Sequence, residues 1–253
     1  MTRIIMYGCN GKMGKVISSL VKEDASVEIV AGIDSFGGQL DSYPVYKTLA
    51  ECPIEADALI DFSAPSALDD ILTEAKKRKL PLVLCATGYS EEQLAAIKEA
   101  SEELAILRSA NMSLGVNLLL KLVQEAAKVL AAADFDMEII EKHHNQKVDA
   151  PSGTALAFAD AINAVFGNEY SYRYDRSQDR EKRDKKEIGI SAVRGGTIVG
   201  EHEILFAGAD EVVELKHTAY SKAIFGKGAV AAAKFLHGKS AGMYDMKDVI
   251  ALQ

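Results

Sequence analysis

Through the first half of the chain, short apolar runs alternate with stretches of helical periodicity. Ile4-Ile5-Met6-Tyr7, Val27 to Ile33, Ala58 to Ser63, Leu82 to Ala86 and Ala105 to Arg108 read as strands. Met13, Val16, Ile17 and Leu20 recur at helical spacing after the first of them. Ser66 and Asp69 read as a capping pair for a helix running to Lys79, and Ser90 with Gln93 as a capping box for the next helix. Strands that alternate with helices predict an α/β domain built on a doubly wound parallel sheet, in which ligands bind at the carboxyl ends of strands. A long apolar-periodic helix, with Leu114, Leu118, Leu119, Leu122, Val123, Ala126 and Leu130, starts at Ser113. The pattern then changes. Residues 188–193, 198–206 and 211–216 alternate apolar and polar, as antiparallel strands with one exposed or subunit-facing side do. This predicts a second α+β domain with a mixed, largely antiparallel sheet. An alanine-rich helix from about Lys222 to Leu236 is expected to return to the first sheet. The expected division is residues 1–111 with 221–253, and residues 112–220.

Glycines mark the first strand end. Gly8, Gly11 and Gly14 recur every third residue between strand and helix, a spacing that suits a tight turn with backbone close to a pyrophosphate. Asp34 follows the second strand twenty positions after Gly14, where an acid holds the adenosine ribose hydroxyls. A plain turn aspartate is the alternative role. Ser35 and Phe36 come next, with no arginine to meet a 2′-phosphate, and Lys12 is the nearest cation. The expected cofactor is therefore NADH, favoured by Asp34, with NADPH possible through Lys12. Ser63, Thr87-Gly88 and Ala110-Asn111-Met112 lie at the ends of the later strands.

The densest chemistry lies in Glu138 to Thr154. His143 and His144 can exchange protons near neutral pH, and Lys147 adds a fixed positive charge. Ser152-Gly153-Thr154 opens a helix marked by Leu156, Ala159, Ile162, Val165 and Phe166, and a helix start offers N–H groups to an anion. A proton donor, a cation and an anion-binding turn point to a small carboxylated molecule. A metal is not expected: it would need a further ligand from His202, His217 or His237, and adjacent residues on an extended segment face opposite sides.

Composition narrows the class. The chain has 253 residues, 48% of them hydrophobic, enough for a sizeable core. A formal net charge of −8 argues against nucleic-acid binding. Cys9, Cys52 and Cys85 show no paired spacing and read as reduced thiols. No signal-peptide pattern and no apolar run of about 18 residues is found, so a cytoplasmic protein without a membrane partner is expected.

The ordered motifs together resemble the bacterial dihydrodipicolinate reductase family, the pyridine-nucleotide reductases of the diaminopimelate and lysine pathway that act on 4-hydroxy-tetrahydrodipicolinate. The resemblance rests first on the run from Glu141 to Ala155, with Gly8 to Gly14, Ala86 to Tyr89, Asn111 to Asn117, Arg194-Gly195-Gly196 and Gly200-Glu201-His202 in support. It implies a Rossmann-like cofactor domain, a substrate domain whose sheet builds a homotetramer, and hydride transfer from NADH or NADPH to a cyclic dicarboxylate. It further implies His143 and Lys147 as catalytic residues, and His144, Lys147, Ser152, Gly153 and Thr154 as substrate-binding residues. Implied cofactor contacts are Gly8, Cys9, Asn10, Gly11, Lys12, Met13, Asp34, Thr87, Gly88, Ala110, Asn111 and Met112. Asn145 and Gln146 stand where some relatives carry basic residues, and Asp34-Ser35-Phe36 departs from an acid-arginine pair. Two other readings compete: a dehydrogenase of the same architecture with a sugar or aldehyde substrate, and a non-catalytic dinucleotide sensor. A thioester mechanism would need a cysteine near the histidines, and a sensor would not need histidines, lysine and anion turn together.

Overall fold

The computed structural model describes residues 1–39 and 41–251. Leu40, Leu252 and Gln253, which fall in the expected ranges 1–111 and 221–253, lie outside the described residues. In chain order the first elements are β1 (Thr2–Tyr7), α1 (Lys12–Lys22), β2 (Val27–Ile33), β3 (Val45–Tyr46) and β4 (Ala58–Asp61). They are followed by α2 (Leu68–Arg78), β5 (Leu82–Leu84), α3 (Glu91–Ala100) and β6 (Ala105–Arg108). Next come α4 (Leu114–Leu130), β7 (Asp136–His143), α5 (Gly153–Ala164), β8 (Ser171–Arg173) and β9 (Glu187–Arg194). The chain continues with β10 (Gly200–Ala207), β11 (Val212–Ala219), α6 (Ala223–Leu236), β12 (Gly242–Tyr244) and α7 (Met246–Ala251). Two compact units result, Met1–Leu114 with Ala223–Gln253, and Gly115–Lys222.

In the first unit seven parallel strands run in the order β12-β6-β5-β4-β1-β2-β3. Alternation along each strand divides the core between two faces. Ile4, Met6, Ile60, Val83 and Leu107 meet Ile17 and Val21 of α1 and Ala229, Val230, Ala233 and Leu236 of α6. Ile5, Leu59, Leu82, Leu84 and Ile106 meet Leu68, Ile71 and Ala75 of α2 and Ile97 and Ala100 of α3. This is the Rossmann-like arrangement. The capping box of α3 forms as read, with Ser90 Oγ accepting from the Gln93 amide and the Gln93 side chain from the Ser90 amide. The Ser66-Asp69 cap does not form: Pro65–Ala67 is a tight 3-10 turn that runs straight into α2, so Ser66 never adopts the extended geometry of a cap. β3, β12 and α7 are too short to carry a readable period.

In the second unit five strands run in the order β11-β10-β7-β9-β8. The sheet is mixed: β10 is antiparallel to β7 and β11, whereas β9 is parallel to β7 and β8. The antiparallel expectation for residues 188–193 is corrected here, because alternation reports exposure and not direction, and the segment that holds α5 and β8 carries the chain back to start β9 parallel. Met137, Ile139, Ile188, Ile190, Ile204 and Phe206 pack on Val116, Leu119 and Val123 of α4 and on Phe158, Ala159 and Ile162 of α5. Burial of each such side chain stabilises by roughly 1.5–3 kcal/mol.

Candidate active site

Alternation along β7 decides which histidine turns inward. Met137, Ile139, Glu141 and His143 point toward the helices, and Glu138, Ile140 and Lys142 toward the other face. His143 is buried and His144 only half so. Sheet register then adds distant residues. Arg194, the last residue of β9, stands opposite His143, and His202 on β10 stands opposite Glu141. Ser152 reaches the cluster as the N-cap of α5, its Oγ accepting the Ala155 amide at 3.2 Å.

Glu141 is the hub of the cluster. Its Oε2 lies 2.6 Å from His143 Nδ1 and accepts from Arg194 Nη1 at 2.8 Å. Oε1 accepts from Arg194 Nη2 at 2.7 Å and from the Ser152 amide at 3.0 Å. Burial pushes this carboxyl up, but the Arg194 fork, the His143 ring and the Ser152 amide together hold it below the ordinary carboxylate range. It is therefore ionised at neutral pH, and a neutral His143 beside it keeps its proton on Nδ1. Nε2 lies over Gly200, where an added Cβ would come within 3.1 Å of it. His202 packs edge-on against His143 with ring centroids 5.1 Å apart, and its Nε2 is 3.1 Å from Ser152 Oγ. Burial, and next the His143 charge, depress its pKa to about 4, so it is neutral near pH 7.

The loop beyond His143 is tied to the end of β9. Gly195 donates to His143 O at 2.9 Å, Asn145 to Gly196 O at 3.2 Å, and Arg194 Nη2 to Asp149 O at 2.6 Å. Lys147 Nζ pairs with Asp149 Oδ1 at 2.7 Å within the same loop. Asp149 is more than half exposed, and pairs of this kind contribute at most about 1 kcal/mol, so the ammonium is easily exchanged to another anion. Gly153 and Thr154 form the first turn of α5 directly after Ser152.

The glycine turn belongs to the first unit and is built from backbone. Gly8 has φ +79°, and a Cβ at Gly14 would lie 2.4 Å from the carbonyl oxygens of both Gly8 and Cys9. α1 starts at Lys12 with Gly11 as N-cap and no side-chain hydrogen bond capping its first turn. Asp34 Oδ2 accepts the Asn10 amide at 3.2 Å while Oδ1 accepts the Phe36 amide at 3.1 Å. Asn10 Nδ2 donates to Gly37 O at 2.8 Å and Gly38 O at 2.9 Å. Asp34 thus closes a turn and also faces the glycine loop, so both roles considered for it are compatible. Cys9 is buried, and burial raises its thiol to about 11, leaving it a packing residue of the turn.

The other expected strand ends lie in the same unit. Asp61 is buried at the end of β4 and accepts Ser63 Oγ at 2.5 Å and Tyr89 Oη at 3.3 Å, joining the loop after β4 to the Thr87-Gly88 turn, where Gly88 has φ +85°. Burial raises the Asp61 carboxyl. Ser109 Oγ donates to Asn111 O at 2.9 Å, and Met112 is buried under α6, where a Cβ on Gly228 would lie 1.6 Å from Met112 O. A close-packed glycine turn, an uncapped helix start and an acid at the second strand end fit a dinucleotide.

Two family models match the chain in tandem: "Dihydrodipicolinate reductase, N-terminus" over residues 2–112 and "Dihydrodipicolinate reductase, C-terminus" over residues 115–250. The chain belongs to the dihydrodipicolinate reductase family. The 4-hydroxy-tetrahydrodipicolinate reductase of Caldanaerobacter subterraneus subsp. tengcongensis is 55% identical over 250 residues, 99% of this chain and 98% of that one. The enzyme of that name from Clostridium novyi is 49% identical over 99% of this chain and 98% of its own. The solved structure of a dipicolinate-bound dihydrodipicolinate reductase from Paenisporosarcina sp. TG-14 matches with a TM-score of 0.83 at 25% identity, over 99% of both chains. In this dihydrodipicolinate reductase family member the glycine turn falls in the N-terminal match and the histidine cluster in the C-terminal one. The sequence shows Glu141, Arg194, Gly200 and His202 as motif residues without assigning any of them a part in the chemistry, His202 being weighed besides as a metal ligand; Glu141 shares the inward face of β7 with His143, and strand register across β9 and β10 brings the others to it.

Proposed function

We propose that this chain reduces 4-hydroxy-tetrahydrodipicolinate to tetrahydrodipicolinate, with NADH or NADPH as reductant, in diaminopimelate and lysine biosynthesis. Family membership over nearly the full length carries the reading. The first unit is the cofactor domain and the second the substrate domain. A bound nicotinamide supplies hydride. Loss of water from the hydroxy substrate leaves a conjugated C=C/C=N system, and hydride at one end leaves electron density at the other that must take a proton. His143 gives that proton from Nε2, and Lys147 supplies positive charge beside it. His144, Lys147 and the start of α5 at Ser152, Gly153 and Thr154 bind the carboxylates. The dipicolinate on the Paenisporosarcina relative is a cyclic dicarboxylate of the required kind.

Gly8, Cys9, Asn10, Gly11, Lys12 and Met13 hold the pyrophosphate, and Thr87, Gly88, Ala110, Asn111 and Met112 line the remaining cofactor loops. Asp34, oriented by the Asn10 and Phe36 amides, favours ribose hydroxyls over a 2′-phosphate and so NADH, while Lys12 keeps NADPH usable. The open face of the five-stranded sheet carries Ile140, Val193, Leu205 and Val212 among charged residues and supports a homotetramer, which light scattering on the purified protein tests. For the reaction, absorbance of the reduced nicotinamide is followed with substrate made in situ from pyruvate and aspartate semialdehyde by the preceding synthase. Synthase-dependent oxidation is expected with both cofactors, faster with NADH. No oxidation by folded, nucleotide-binding protein overturns the reading.

A further inference from the structure

We propose that Glu141, clamped by Arg194, is a positioning residue that fixes which nitrogen of His143 gives up the proton. The inference deepens the reading of His143 as proton donor and rests on it. An imidazolium carries protons on both nitrogens, and a carboxylate 2.6 Å from Nδ1 retains one of them. The proton free to leave is then on Nε2, on the side that Gly200 keeps clear of a side chain. In the transfer the Nε2–H bond breaks, its electron pair stays on the ring, and the proton joins the substrate. The ring remains as the Nδ1–H tautomer and solvent restores the second proton.

Arg194 gives the carboxylate its fixed orientation. Its guanidinium fork engages both oxygens of Glu141, at 2.8 and 2.7 Å, and the Ser152 amide adds a third donor at 3.0 Å. With these bonds made, Glu141 neither rotates away nor takes the His143 proton for itself. The groups facing His143 are Glu141 on its own strand, Arg194 on β9 behind that carboxylate, and His202 on β10 beside Ser152 of α5. Of these only Glu141 bonds to the ring. A merely structural pair would staple β7 to β9 and leave the ring's protonation alone.

Three variants separate these roles. Glu141→Gln keeps the shape but replaces the acceptor charge, and it leaves the partly buried Arg194 cation uncompensated. The double variant Glu141→Gln with Arg194→Gln removes both charges. The expected result is a fall in kcat of at least about thirtyfold in Glu141→Gln, with KM changed by less than about threefold. The double variant is expected to regain thermal stability without regaining turnover. In nitrogen-15 histidine spectra the neutral His143 is expected as Nδ1–H in the wild type and as Nε2–H in Glu141→Gln. Turnover of Glu141→Gln close to wild type overturns the proposal, as does a double variant that regains stability and turnover together. His143→Ala distinguishes the two levels: wild-type turnover there overturns the reading of His143 itself, whereas an inactive His143→Ala beside an active Glu141→Gln overturns only the positioning role.

Discussion

The glycine turn after β1 and the histidine cluster at the end of β7 are built by opposite means. In the first, backbone meets backbone: a Cβ at Gly14 would collide with two carbonyl oxygens at 2.4 Å, and no side chain caps the helix. In the second, the side chains of His143 on β7 and Arg194 on β9 converge on the buried Glu141 carboxylate, the Ser152 amide at the start of α5 adds a third donor, and His202 of β10 joins through Ser152 Oγ. A backbone site is specified locally and tolerates change in every side chain that does not occupy its space. A side-chain site is specified by register, so its parts are replaceable only together. Binding of a constant group such as a pyrophosphate suits the first, and proton transfer at one defined atom suits the second.

The largest expected effect breaks the comparison at the side-chain end. His143→Ala and Lys147→Ala should each lower turnover by at least roughly a hundredfold while nucleotide affinity stays within about twofold, because neither residue belongs to the glycine turn. Stopped-flow single turnover with nucleotide titration by fluorescence checks both halves of that statement. The complementary break is Gly14→Ala. Its methyl group forces the turn open, so nucleotide Kd should rise by at least about twentyfold, on the scale of a backbone position strained by a few kcal/mol. The histidine-15N spectrum of that variant should be unchanged, since the described partners of His143, Glu141, Gly195 and His202, lie in the second unit.

The same contrast explains what could be read from the sequence. Three glycines at fixed spacing between an apolar run and a helical period are visible because the site is continuous in the chain, and the turn forms where it was expected. The parallel sheet was likewise legible, since each strand and helix is a local pattern. His143, His144 and Lys147 stood out because they are adjacent. Arg194 and His202 were legible as motif residues, but their place beside His143 was not. They lie 51 and 59 positions from His143, and only the pairing of β9 and β10 with β7 brings them there. The parallel direction of β9 was hidden for the same reason, as alternation is identical in either direction. Ser66 misled because a cap is a backbone conformation, and Pro65 had already fixed that backbone in a turn.

A smaller effect sharpens the cofactor side. Among the described residues, Asp34 is the one charged side chain that hydrogen-bonds to the glycine loop, through the Asn10 amide. Asp34→Ala should remove the ribose preference without the backbone clash that Gly14→Ala introduces, and shift the NADH-to-NADPH ratio of kcat/KM toward NADPH by about tenfold, the change expected for one lost charge-assisted contact near 1.4 kcal/mol. An unchanged ratio would assign Asp34 to turn closure alone, through its bond to the Phe36 amide.

The smallest effect concerns stability and tests whether the side-chain site is as dry as its hydrogen bonds imply. His202 is 4% exposed, and burial depresses its pKa to about 4 from an unfolded value near 6.5. Between those values the unfolded chain binds a proton that the folded chain refuses. Stability from this group is therefore fully present above pH 6.5 and is lost as pH falls toward 4, amounting to roughly 1 kcal/mol between pH 8 and pH 6. His202→Gln keeps a donor for Ser152 Oγ but does not titrate, so its unfolding free energy should fall by less over that interval. Urea unfolding of both proteins at pH 8 and pH 6 measures the difference. Parallel pH dependence in the two would mean that water reaches His202, and the cluster around Glu141 would then be held less by exclusion of solvent than by the Arg194 fork.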